Sequence, residues 1–297
     1  MRFPCFRLAA LAVALLQTPC PMRIPAAPAP VVETGTPEEL LRKAGESARA
    51  GNRTEAIAIC TQVLLGSPEH RNALALRGRL YSDARQDEPA VADFSKLLKL
   101  DPKATGIYQL RGWCQFRLGR FPESIADFDK VIELRPDQAP HHWQRGIALY
   151  YAGRYDDGRK QFELHQTVNP RDVENAAWHF LCTARQSGVD KARRGLIPIE
   201  GDPRVPMKEV QSLFAGKAQP ADVLAAAKAA QTGPDRSNDG LFYAHLYLGL
   251  YHEATGDAPK ALEHILKAAT EFQADHAMGD VARVHARVLQ PRKKGGK

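Results

Sequence analysis

Apolar and polar positions along this chain repeat with a period of 34 residues. Prolines close successive apolar stretches at Pro68, Pro102, Pro136 and Pro170, each 34 residues after the last. Within that interval a small residue (Ala44, Gly78, Gly112 or Gly146) is followed 16 positions later by Cys60, Phe94, Phe128 or Phe162. Small residue then bulky one, in register, predicts two packed helices. The small residue lets the first helix approach closely, the aromatic ring fills the space between repeats, and proline ends the second helix because it cannot continue the hydrogen-bond ladder. Gly51, Gly119 and Gly153 fall at the turn between the helices, where a backbone without Cβ turns most easily.

Four consecutive repeats are expected over 37–170. A fifth fits at 243–273, with Gly249 at the small position, Gly256 at the turn, and Ala261 and Ala268 on the second helix. Between them, residues 171–240 lose the register. Trp178-His179-Phe180-Leu181 and 220–228 still carry a helical pattern and 197–206 reads as a loop, so irregular helical pairs are expected to continue the stack. Residues 278–289 are expected to form a capping helix over the open end, since each internal repeat leaves an apolar face for a neighbour. The predicted organisation is a leader and Pro/Ala-rich linker at 1–36, four repeats at 37–170, a degenerate region at 171–240, a last repeat with its cap at 241–290, and a basic tail at 291–297.

This unit resembles the tetratricopeptide repeat, a 34-residue helix-turn-helix with these small, aromatic and proline positions. The resemblance implies an all-α fold, a right-handed solenoid. A narrower likeness rests on Arg145-Gly-Ile-Ala-Leu-Tyr-Tyr-Ala-Gly-Arg154, on the degenerate region after the fourth repeat, and on the late repeat beginning Phe242-Tyr243-Ala244-His245-Leu246-Tyr247-Leu248-Gly249. Together these look like the NlpI family of bacterial envelope tetratricopeptide lipoproteins. That likeness implies a non-catalytic adaptor that brings peptidoglycan hydrolases or synthases together with a processing protease.

The charge changes the picture less than its size promises. The net charge is +7, but Arg2, Arg7 and Arg23 at one end and Arg292, Lys293, Lys294 and Lys297 at the other account for all of it. The balanced body offers no net field to a phosphate backbone, which argues against nucleic-acid binding. The first residues read as an export signal: Arg2 and Arg7, then nine apolar residues from Leu8 to Leu16, then small and proline-rich residues through Pro30, with cleavage near Ala26 to Ala29. Such a run is too short to span a bilayer, which takes about 20 residues, and no other stretch qualifies. The expected location is therefore periplasmic or envelope-associated. Cys20 offers an alternative, cleavage before it and lipidation of its thiol, but Gln17 and Pro19 depart from that signature. Cys60, Cys114 and Cys182 lie in apolar helical patterns as small hydrophobes, with one disulfide left open.

No Walker-type loop, G-x-S-x-G elbow, H-E-x-x-H helix or C-x-x-C pair occurs, so neither enzyme activity nor a cofactor is expected. His245, His252, His264, His276 and His285 gather late in the chain without the short spacing of a metal site, and no metal is assigned. Binding chemistry is more visible. Carried over from the repeat family, the concave groove positions are Arg79 in the second repeat, Gln109, Trp113, Phe116 and Arg117 in the third, and Trp143, Ile147, Tyr150 and Tyr151 in the fourth. Their spacing puts each set on one helical face, and Trp, Tyr and Arg are the types that dominate protein interfaces. Packing between repeats is the competing role for the aromatics. The partner class is other proteins. The rivals are a self-associating homodimer without a client and a hydrolase whose site draws on Asp190, Glu200, Asp202 and His179. The lysine and asparagine clamp for a terminal carboxylate is absent.

Overall fold

The computed structural model describes residues 34–231 and 239–290. The leader, Cys20 and the basic tail lie outside the described residues.

Thr36 opens the first helix with a capping box. Its hydroxyl accepts from Glu39 N at 3.3 Å while the Glu39 carboxylate accepts from Thr36 N at 2.9 Å. Four helical hairpins follow: α1 (Pro37–Arg49) with α2 (Arg53–Gly66), α3 (Arg71–Asp83) with α4 (Asp87–Leu100), α5 (Thr105–Arg117) with α6 (Phe121–Leu134), and α7 (Trp143–Tyr151) with α8 (Tyr155–Gln166). Pro136 does not simply end α6; it starts a 3-10 turn, Pro136–His141, leading into α7. Beyond lie α9 (Val173–Ser187), α10 (Val189–Arg194), α11 (Met207–Phe214), α12 (Pro220–Ala230), α13 (Asp239–Ala254), α14 (Ala258–Leu266) and α15 (Ala277–Leu289). Among the described residues no strand is present, and no helix is long and apolar enough to cross a membrane.

The small and bulky positions meet inside each hairpin. A Cβ on Gly78, Gly112 or Gly146 would lie 2.7, 2.8 or 2.7 Å from the ring of Phe94, Phe128 or Phe162, and one on Gly249 would lie 2.5 Å from Ile265. The ring therefore fills the gap within its own hairpin, beside the glycine 16 positions earlier, in addition to any role between repeats. Ala44 is fully buried at the same position in the first repeat.

A polar ladder with the same period holds successive repeats together. Arg77 forks onto Asp93 at 2.8 Å and reaches Thr61 at 3.0 Å; Arg111 forks onto Asp127 at 2.6 and 2.9 Å and reaches Ser95 at 3.0 Å. In the fourth repeat the acid changes places: Arg145 binds Asp129 at 2.6 Å, while Gln161 stands where the others have aspartate and accepts at 3.1 Å. His179 on α9 lies 3.3 Å from Glu163, one step further in the same series. The first helix of a fifth repeat thus keeps the register that the apolar pattern loses after Pro170. It is the second helix that fails, since α10 is only six residues long.

The apolar core passes through the stack in two stretches that hand over within α5. Cys114 belongs to the cluster of the first repeats, and Phe116 to the larger one running on through Trp178, Phe214, Phe242 and Tyr247. Cys60, Cys114 and Cys182 are buried free thiols. Burial raises Cys60 and Cys114 to about 11, and Cys182 higher still.

Helix α15 does more than cover the end of the stack. It packs on α14 and on the π-helical turn Lys267–Glu271, and also reaches back to α5. The expected cap is present on the last hairpin, and polar side chains of α5 and α7 also draw the helix across them.

Candidate partner-binding groove

The first helices of the hairpins, α3, α5, α7 and α9, form the inner face, and α15 lies against the C-terminal ends of α5 and α7. Asp280 is its anchor. Its carboxylate accepts from Trp113 Nε1 at 3.1 Å, Arg85 Nε at 2.9 Å and, on its own helix, Arg283 at 2.8 Å, with Arg117 Nη1 at 3.4 Å. Burial opposes the charge, yet Arg283, Arg117 and Arg85 hold the Asp280 carboxyl below its ordinary range. Arg85 also binds Asp275 at 2.9 Å, and Arg287 donates to the Arg117 carbonyl. Further along, Tyr151 Oη meets His285 Nδ1 at 2.9 Å.

Of the sequence-derived groove residues, Arg79 is exposed and Gln109 half-buried. Trp113 is half-buried, stacked on Phe116 at 4.7 Å and edge-on to Trp143 at 6.1 Å. Arg117 turns from solvent to Asp87, at 2.5 and 2.9 Å, and to Ser82 at 2.7 Å. Three assignments need correction. Phe116, Ile147 and Tyr150 are 0%, 1% and 4% exposed, so none presents a free surface. Phe116 packs against Phe121 and Tyr151, and Tyr150 Oη lies 3.3 Å from both Glu253 and Arg185. They share the groove's helical face, but close approach of α9, α13 and α15 turns that face inward. Tyr151 is half-covered by the same contacts.

Trp143 keeps an opening. With Ile147, Phe162, Trp178 and Met278 it walls an apolar cavity of about 250 Å³, its rim carrying Asn169, Asp172 and Glu174. Behind that rim Arg204 ties the 196–206 loop to α9 through Asp172, at 2.6 Å, and Glu174, while Asp202 of the same loop binds Arg204 at 2.6 Å and accepts from Val173 N at 3.1 Å. Glu174 also accepts from Tyr247 Oη at 2.7 Å, and burial raises it to about 7. The residues proposed for a hydrolytic site in 171–240 are not assembled: His179 faces Glu163, Asp190 faces Arg193, Asp202 binds Arg204, and Glu200 is exposed. His245, His252 and His264 do gather, with Nδ1 of His245 and His264 2.9 Å apart and His252 stacked on His264. Among the described residues no cluster of His, Cys, Asp and Glu could hold a metal ion.

Sequence reasoning missed Arg85, Asp280 and Glu253. A signal for Arg85 was present: it stands 34 residues after Gly51 and before Gly119, at the turn position that those repeats and the fourth give to glycine.

A right-handed stack of helical hairpins with small-on-bulky packing and a concave inner face is a tetratricopeptide-repeat solenoid, a class of fold whose concave surface serves protein recognition. The tetratricopeptide-repeat family model matches residues 77–139. A solved tetratricopeptide-repeat protein from Parabacteroides merdae ATCC 43184 is similar over 85% of this chain and 98% of its own, at 17% identity and a TM-score of 0.57. The solved structure of MamA protein is also similar, over 53% of this chain and 86% of its own, at 18% identity and a TM-score of 0.50. No curated protein matches the sequence.

Proposed function

We propose that this protein is a non-catalytic scaffold that holds a segment of another protein on its inner face, with an apolar anchor side chain in the Trp143 cavity. The observation carrying this reading is the cavity itself: an apolar recess of about 250 Å³ between two tryptophans, on the face where this fold class binds its partners. Its volume suits one large side chain and its polar rim suits the peptide groups around it. The leader-like start of the sequence supports export, and with it an envelope adaptor whose clients are peptidoglycan enzymes or a processing protease.

The test is capture from envelope extract by the wild-type chain and by Trp143→Ala, with helical content and melting compared first. Trp143 is only half-buried, so the variant is expected to fold and to lose the clients that wild type retains. Equal retention by both would remove the cavity from the reading. Retention of nothing, with a doubled mass in sedimentation, would favour the homodimer.

A further inference from the structure

Arg85 is the only non-glycine residue with positive φ among the described residues, at +54°, whereas Gly51, Gly119, Gly153 and Gly256 occupy that turn in the other hairpins at +75° to +89°. A left-handed arginine is disfavoured by its Cβ, and nothing in the turn itself requires a side chain there. What the side chain does is reach α15: its guanidinium binds Asp280 and Asp275. Arg117 and the Trp113 N–H converge on the same Asp280 carboxylate from the next repeat. Two cations and an indole donor from different hairpins, one of them kept in an unfavourable backbone conformation, form a receptor for a carboxylate on a helix. A polar recess of about 400 Å³ lined by Arg53, Ser82, Arg85, Trp113 and Arg117 opens beside it, giving solvent access.

The helix now in place is joined to the stack by the short segment 272–276. Besides Asp280, α15 meets α5 and α7 through the Tyr151–His285 contact, the Arg287 bond to a carbonyl and Met278 in the Trp143 cavity, and it buries Val281, Ala282 and Val284 in the core, an apolar face that an incoming helix has to match. We propose that α15 is an exchangeable internal ligand, and that the partner segment is an amphipathic helix whose Asp or Glu takes the place of Asp280 between Arg85, Arg117 and Trp113. This deepens the scaffold reading by naming the partner's chemistry. It also makes the resting protein self-occupied, so a partner's apparent affinity falls by the fraction of chains in which α15 is out. Charge complementarity selects this occupant, since a helix lacking the carboxylate would leave Arg85 and the Trp113 N–H without their buried acceptor and Arg117 with the Asp87 carboxylate alone.

The test uses the full chain and a fluorescent peptide of residues 275–290 as probe, read by anisotropy and by amide hydrogen exchange. Asp280→Asn in the chain weakens the internal ligand while leaving its receptor intact, so it should bind the wild-type peptide at least tenfold more tightly than the wild-type chain does. It should also speed exchange in α15 with α13 unchanged. The Asp280→Asn peptide should lose at least tenfold on that chain, and adding Arg85→Gly to Asp280→Asn, where the internal ligand no longer competes, should weaken the wild-type peptide at least tenfold, because glycine suits the turn but offers the carboxylate no partner. Should Asp280→Asn lose helical content, amide exchange decides: Arg85→Gly removes the contacts to Asp280 and Asp275, and exchange in α15 no faster than in the wild-type chain overturns the proposal. So does an Asp280→Asn chain that folds and binds no better than wild type. Partner capture that depends on Trp143 but not on Arg85 would leave the scaffold reading standing and remove this one.

Discussion

Replacing Asp127 by leucine tests the ion pair that joins the two helices of the third hairpin and aims Arg111 at Ser95 of the repeat before it. Asp127 is 6% exposed and Arg111 22%, and the pair makes two hydrogen bonds at 2.6 and 2.9 Å. Without the carboxylate, Arg111 keeps only Ser95, at 3.0 Å, and the face of Tyr108, 5.7 Å from its ring centre. Removing one partner of a fully buried pair costs about 3–5 kcal/mol. Arg111 retains some solvent, so screening brings the expected cost to about 2–3 kcal/mol. For a chain of this size that is a fall of roughly 5–10 °C in melting temperature. The control is the double variant Arg111→Met, Asp127→Leu, in which neither charge is left behind. It should lie within about 1 kcal/mol of wild type. Melting and urea unfolding followed by helical circular dichroism on wild type, Asp127→Leu, Arg111→Met and the double variant give the coupling energy directly. If Asp127→Leu costs under about 0.5 kcal/mol, or if the double variant loses the sum of the single losses, the Arg111–Asp127 pair is surface decoration and not a tie between α5 and α6.

Gly146→Ala places a Cβ 2.7 Å from Phe162 and should cost about 1–3 kcal/mol in urea unfolding, whereas Gly45→Ala, inside α1 with nothing within 4 Å, should gain about 0.5–1 kcal/mol. Burial lowers His142 and His245 from 6.5 to about 4, so the fold favours their neutral forms. Their contribution is complete above pH 6.5 and lost as pH falls through 4, about 3 kcal/mol each, and His142→Gln should flatten the acid side of a melting-temperature profile. Glu174, raised by burial to about 7, acts in the opposite sense: it favours the fold as pH falls from 7 toward 4.5, so Glu174→Gln should steepen the same acid-side loss. The three buried thiols should react with a disulfide reagent only at the rate of unfolding, measured by comparing thiol release with loss of helical signal in mild urea.

The period of 34 residues was enough to place the hairpins, because its signals are local. Proline stops a helix, glycine makes the turn, and a small residue 16 positions before a ring is a packing constraint within one hairpin. The same locality made Arg85 detectable as a break in the glycine series, and the Arg77–Asp93 and Arg111–Asp127 pairs recur at the repeat interval. Helical face alone could not separate surface from core at Phe116, Ile147 and Tyr150. Whether that face meets water depends on what the chain brings back to it from more than 100 residues away: Glu253 to Tyr150, His285 to Tyr151 and Asp280 to Trp113. An amphipathic stretch at 277–289 has an apolar side in any stack, and its sequence fits an end cap equally well. The inward turn of α15 was decided by a buried carboxylate that needs cations, and by two successive repeats that supply them, Arg85 from the turn after α3 and Arg117 from the end of α5.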